Sequence, residues 1–190
     1  MAQEKGGNLS EVQARIGASH NINDLDRKLQ FYGRWAPDYD QDVAALQYRA
    51  PRLAVDCLTQ ALPGPPHDAL ILDVACGTGL VAAELKAMPG EASGEGQASL
   101  GLTLLASFPS CPSPGGLVCL TTRTNPSNLQ YKEALEATLD KLEQAGAWKR
   151  LVAQTVDHWE LATSPLEVAP GAKDGFISGI IYLYQKQRSP

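Results

Sequence analysis

Leu70-Ile71-Leu72-Asp73-Val74-Ala75-Cys76-Gly77-Thr78-Gly79-Leu80 is the stretch on which the reading of this chain turns. From Ala69 to Ala75 the run is short, continuous and rich in branched apolar side chains, the pattern of a strand buried on both faces. Cys76 to Gly79 forms a glycine turn, and a helical pattern restarts over Leu80 to Ala87. Strand, glycine turn and helix in this order open a nucleotide-type α/β fold, whose ligands bind at the carboxyl ends of the strands. Gly77 and Gly79 carry no Cβ, so the backbone there can turn sharply and lie against a ligand.

Asp73, an acid at the strand end, favours a ligand with positive charge over a pyrophosphate, which it would repel. S-adenosylmethionine, with its ammonium and sulfonium, fits that requirement. A dinucleotide fits less well, although Gly77-Thr78-Gly79 followed by Ala82 satisfies a G-x-G-x-x-A pattern and keeps that rival open. No G-x-x-x-x-G-K occurs, so a P-loop is excluded. The bland alternative is a tight strand-to-helix turn without a ligand.

Upstream, residues 1–23 are polar and read as a flexible N-terminus. Leu25, Leu29, Tyr32 and Trp35 recur at helical spacing until Pro37. Further helices are expected over Asp40–Arg49 and from Pro51 to Leu62, before the Pro63-Gly64-Pro65-Pro66 stop. Downstream, 88–113 holds four glycines, three prolines and five serines, composition that marks a loop. Within it only Ser99–Phe108 is apolar enough for a strand. Gly116–Thr122 reads as another buried strand. Ser127-Asn128-Leu129-Gln130 forms a capping-box start for a helix with Tyr131, Leu135, Leu139 and Leu142 on one face, closed by Gly146. Strands are expected over Leu151–Leu161 and Phe176–Tyr184.

The chain has 190 residues, 20.3 kDa and 44% hydrophobic content, enough for one core and short for two. Lys and Arg number 16 against 21 Asp and Glu, a net charge of −5. With no basic surplus to displace counterions, a nucleic-acid partner is not expected. Apolar stretches are far below a membrane span, and no apolar leader opens the sequence, so a soluble intracellular protein is expected, cytoplasmic with the nucleus left open. Cys57, Cys76, Cys111 and Cys119 show no metal-ligand spacing; no metal site is expected.

Three motifs together carry a family resemblance. Asp73-Val74-Ala75-Cys76-Gly77-Thr78-Gly79 resembles motif I of class I S-adenosylmethionine-dependent methyltransferases, with Ala75 where a glycine often sits. Phe31-Tyr32-Gly33-Arg34-Trp35-Ala36-Pro37-Asp38-Tyr39-Asp40 resembles the Y-x-x-W-A-x-x-Y-D entrance segment of small-molecule methyltransferases of the ubiquinone-biosynthesis type. Pro114-Gly115-Gly116 resembles the turn before the fifth strand of that fold. The resemblance covers 24–87 and 114–186. It implies an α/β, Rossmann-like sheet with N-terminal helical cover, in a single domain over 24–190 interrupted at 88–113. It also implies S-adenosyl-L-methionine as cofactor, S-adenosyl-L-homocysteine as product, a small-molecule methyl acceptor, and a monomer. Asp73, Ala75, Cys76, Gly77 and Gly79 carry over as cofactor ligands. Tyr39 and Trp35 would cover the cofactor from the N-terminal helices; hydrophobic packing is the equal alternative for both.

Part of that pattern is missing. A ribose-binding acid should follow motif I by about 20 residues, yet Glu91 comes too early and Glu95 sits between glycines, so none is assigned. Only residues 80–114 separate Gly79 from Gly115, where strands two to four and their connections would need roughly 75 residues. The sheet is therefore expected to be incomplete, with strands two to four largely missing, as an internal deletion would leave it. Removal of strand four, which lies between strands one and five in the family, leaves two strand edges without their partner. Ser99–Phe108 is a possible surrogate. An isoform with weakened or lost activity, or an interaction protein, is the competing expectation. No catalytic base is assigned: Asp157-His158 reads as an exposed pair, His20 and His67 as loop residues, and Arg123 as a surface arginine more than a substrate contact.

Overall fold

A computed structural model describes residues 9–20, 22, 24–66, 69, 71–72, 77–88, 115–168 and 174–187. Three strands, β1 (Leu117–Arg123), β2 (Trp148–Leu161) and β3 (Phe176–Lys186), form one sheet in the order β1-β3-β2. β3 pairs antiparallel with both neighbours, Leu120 opposite Tyr182 on one side and Ala153 opposite Tyr182 on the other. β1 and β2 therefore run parallel. Parallel strands need a crossover, supplied here by α6 (Leu129–Gln144).

β3 is buried without interruption from Gly179 to Tyr184, because helices cover both faces of the sheet. On one face Leu183 packs with Val55, Leu58, Val81 and Leu85, contributed by α4 (Ala50–Ala61) and α5 (Leu80–Lys86). On the other, Ile180, Tyr182 and Tyr184 pack with Leu135 and Leu139 of α6. Each such side chain contributes about 1.5–3 kcal/mol on burial, before entropy is counted. The result is a mixed α/β arrangement, as the FISGIIYLY run of Phe176–Tyr184 and the helix periodicity predict.

α6 ends as its sequence predicts: Gly146 takes φ +68°, and the Ala147 N–H donates to the Leu142 carbonyl. Its start differs. Asn128 stands at the N-cap but makes no cap hydrogen bond, and Pro126–Asn128 is a 3-10 turn. The Asn128 amide instead donates to Thr122 Oγ1 at 2.9 Å and to the Arg123 carbonyl at 2.6 Å, stitching the end of β1 to the start of α6.

The N-terminal region departs further from expectation. Within residues 1–23, read as flexible, Leu9–His20 forms α1, with Val12 and Ile16 buried against Trp35, Val43 and Leu46. Its apolar positions are few, which hides the pattern in the sequence, but tertiary neighbours supply the packing. α2 (Leu25–Trp35) is capped by Asp24, whose side chain accepts from the Arg27 N–H. Of its apolar stripe only Trp35 is buried; Leu25 and Leu29 remain 70% and 61% exposed. α3 (Tyr39–Ala45) follows after Pro37. Two backbone bonds fasten the α3–α4 link to the sheet, Arg49 N–H to the Trp159 carbonyl and Leu161 N–H to the Leu46 carbonyl.

Of the expected strand over 69–75, residues 70 and 73–75 lie outside the described residues. Ala69, Ile71 and Leu72 are not in a strand, and Leu72 is 52% exposed. A strand exists only with a ladder partner, and among the described residues the sheet ends at β1. The possible strand Ser99–Phe108 and the loop segment around it lie outside the described residues. Among those residues no helix is long and apolar enough to cross a membrane.

Candidate functional site

A cavity of about 390 Å³ opens between the N-terminal helices and the carboxyl end of β1. β1 contributes Thr121 to Arg123, β2 contributes Trp159 and Glu160, and the helical side contributes Trp35 and Tyr39. This is the edge at which the glycine-turn reading expects a ligand.

A register shift between Val156 and Glu160 shapes the β2 wall. Successive residues of a regular strand face opposite sides, yet Trp159 and Glu160 are 1% and 2% exposed. The irregularity re-aims both inward, and His158 takes φ +54° beside it. Gly179 lies against the Trp159 ring so closely that a Cβ there would enter the ring's van der Waals envelope. The glycine thus sets how deeply Trp159 sits.

Glu160 pairs with Arg123 at 2.5 Å in the cavity wall. Burial by itself would lower the Arg123 pKa, but the Glu160 carboxylate more than offsets it, so the guanidinium is held charged. Arg123 is therefore a half-buried, paired residue of the cavity wall, where the sequence suggested a surface arginine. Tyr39 and Tyr48 are both pushed above the usual phenol range, first by burial, then by a neighbouring phenol (Tyr32 beside Tyr39, Tyr39 beside Tyr48) and then by the Glu160 charge; both hydroxyls stay protonated and can donate or accept hydrogen bonds.

Trp35 is fixed from behind. Its indole Nε1 donates to Asp42 at 2.8 Å, and Arg15 of α1 donates to the same carboxylate oxygen at 3.0 Å. The Tyr39 ring meets it edge-on at 4.8 Å between centroids. Trp35 and Tyr39 thus do both things the sequence left open: they pack the helical cluster and they line the cavity.

Gly77 and Gly79 take φ +54° and +87°, conformations that favour glycine. A Cβ at either would meet no atom of the described residues within 4 Å. Thr78 Oγ1 donates to Asp40, the residue after Tyr39, and Leu80 packs into the Trp35 cluster. The glycine turn is therefore joined to the entrance segment across 38 residues of sequence. Asp73, Ala75 and Cys76 lie outside the described residues.

Sequence reading missed Glu160, Trp159 and the α1 residues Ile16 and Ser19 as cavity lining; a strand irregularity and a weakly patterned helix leave no distinct signal. The Asp157-His158 pair is not in the cavity: His158 Nε2 meets Asp174 at 2.7 Å with both side chains half exposed, the exposed-pair reading. His67 lies outside the described residues. Among the described residues no three His, Cys, Asp or Glu side chains gather as metal ligands.

Comparison with known proteins gives 58% identity over 204 residues with the human protein named methyltransferase-like protein 27, covering 83% of this chain and 82% of that protein. No family model matches the chain, and no solved structure matches it.

Proposed function

From the premise that this chain belongs to the methyltransferase-like family, we propose that it is built to bind S-adenosyl-L-methionine and pass its methyl group to a small-molecule acceptor. The observation that carries this reading is the hydrogen bond from Thr78 to Asp40, which joins the glycine turn to the aromatic cover beside the cavity. The residues present fit the cofactor: among the described residues, positive φ at Gly77 and Gly79 and the lack of any atom within 4 Å of a Cβ there leave room for a ligand along the backbone. Gly77 and Gly79 would hold its methionine part together with Asp73, Ala75 and Cys76, under Tyr39 and Trp35. Bound there, the cofactor supplies an electrophilic methyl group on a sulfonium.

Methyl transfer needs alignment and exclusion of water more than a strong base. Trp35, fixed by Asp42, and the Tyr39 ring would close the site from above. Arg123, held charged by Glu160, and the protonated Tyr48 would orient an acceptor at the end of β1. The sheet arrangement, helices on both faces and a crossover between parallel strands, supports a Rossmann-like fold.

The reading includes a shortened sheet with weakened activity. The alignment with the human relative spans 204 positions, more than the 190 residues of the chain, which requires a gap within it. Exposure of Leu72 supports the same view. Isothermal titration with S-adenosylhomocysteine tests the proposal: micromolar binding is expected, and millimolar or absent binding sinks it in favour of an inactive or interaction protein. A parallel titration with NADH, expected to show no heat, addresses the dinucleotide alternative.

A further inference from the structure

Two thiols face each other where the two halves of the chain meet. Cys57 lies on α4 and Cys119 on β1, and both pack against the same two apolar clusters, one around Leu58 and Leu183, the other around Trp159 and Ile181. The Cys119 thiol lies 3.8 Å from the Ala54 carbonyl, one turn before Cys57 on the same helix. The two side chains are close enough for each to alter the other's ionisation. Both are free thiols and both are partly exposed, so a small solute can reach them. Cavity, cofactor and acceptor chemistry use neither.

We propose that Cys57 and Cys119 form a peroxide-driven, reversible disulfide that ties α4 to β1. Cys57 reacts first. The neighbouring Cys119 side chain lowers its pKa to about 7 against an opposing effect of burial, whereas the same pairing and deeper burial raise that of Cys119. A thiolate, not a thiol, is the nucleophile. The Cys57 thiolate attacks one oxygen of hydrogen peroxide, breaking the O–O bond; the sulfur becomes a sulfenic acid and hydroxide leaves. The Cys119 sulfur then attacks the Cys57 sulfur, forming S–S and breaking S–OH; the hydroxyl leaves as water with the Cys119 proton. The two thiols are oxidised by two electrons in total and one peroxide is reduced to water. A small dithiol reverses the bond by exchange.

The bridge would close a loop across the whole 88–113 segment. It would also anchor β1 two residues before Thr121, where the strand begins to line the cavity. Cross-links of long loops restrict the unfolded chain most, so oxidation is expected to raise the melting temperature.

The test uses the full chain treated with one equivalent of hydrogen peroxide and mapped by non-reducing peptide mass spectrometry. A Cys57–Cys119 peptide is expected, removed by dithiothreitol and absent from both Cys57→Ser and Cys57→Ala. Iodoacetamide labelling of Cys57 should reach half its maximal rate near pH 7. Sulfinic acid on Cys57 with Cys119 still reduced, a preferred link to Cys76 or Cys111, or a link between two molecules would overturn the proposal. So would labelling that rises only in the ordinary thiol range near pH 8.5.

Discussion

The sheet over 115–187 and the helical region over 24–88 carry equally clear patterns in the sequence, yet the two are finished differently. β3 has a strand on each edge and a helical layer on each face, and its apolar run is wholly covered. α2 has the periodicity of a buried helix but keeps Leu25 and Leu29 in solvent, and the apolar residue Leu72 is half exposed. The difference teaches that an apolar pattern states a demand for neighbours, which only the rest of the chain can meet. Where the neighbours follow within a few dozen residues, as β1, α6, β2 and β3 do, the demand is met locally in sequence.

The sharpest test of this contrast is Trp159→Ala. Trp159 is buried between Ala50 and Ile181 and bridges the two regions, so its loss is expected to cost about 3–5 kcal/mol in urea unfolding. A cost below 1 kcal/mol would mean that the regions are not packed together. Glu160→Gln comes next: it removes the Glu160 charge from Arg123, at a cost of about 1–3 kcal/mol. That lies below the usual figure for a buried pair because the Arg123 side chain is 31% exposed. It should also weaken acceptor binding while leaving S-adenosylhomocysteine binding within about threefold, read by titration.

Leu29→Lys, on the exposed stripe of α2, should change stability by no more than about 0.5 kcal/mol and increase solubility. A larger loss would erase the contrast, because the stripe would then have to be covered in solution. The smallest effect belongs to Asp174. The Phe176 N–H, and then His158, hold its carboxyl below the usual range. The contact's stabilisation is present above the unfolded-state pKa and is lost as pH falls through the lower folded value. Acid unfolding of Asp174→Asn should therefore differ from that of the wild type above about pH 4 and begin to converge with it only as the pH falls below that value.

Much of the C-terminal half was legible: the strand at 116–122 is observed over Leu117–Arg123, and the last strand at 176–184 over Phe176–Lys186. Gly146 closed its helix for the reason read in the sequence. What escaped was tertiary in origin. α1 has too few apolar residues to show a stripe, and Ser127-Asn128 offers a capping box that β1 outcompetes for the Asn128 side chain. For the candidate site, Gly77, Gly79, Trp35 and Tyr39 could be named from motifs, but Glu160 could not. An acid in an alternating strand reads as solvent-facing until the register shift turns it inward.

The sequence alone determined that this chain has strand and helix patterns on either side of a glycine turn, and a segment over 88–113 rich in glycine, serine and proline. These are statements about residue type and spacing, which local sterics and hydrophobic periodicity govern. Only the tertiary structure decided that Thr78 meets Asp40, that Arg123 is held by Glu160, and that Cys57 faces Cys119. Each depends on segments far apart in the chain arriving within a few ångströms, and side-chain chemistry at such distances is set by packing, not by neighbours in sequence.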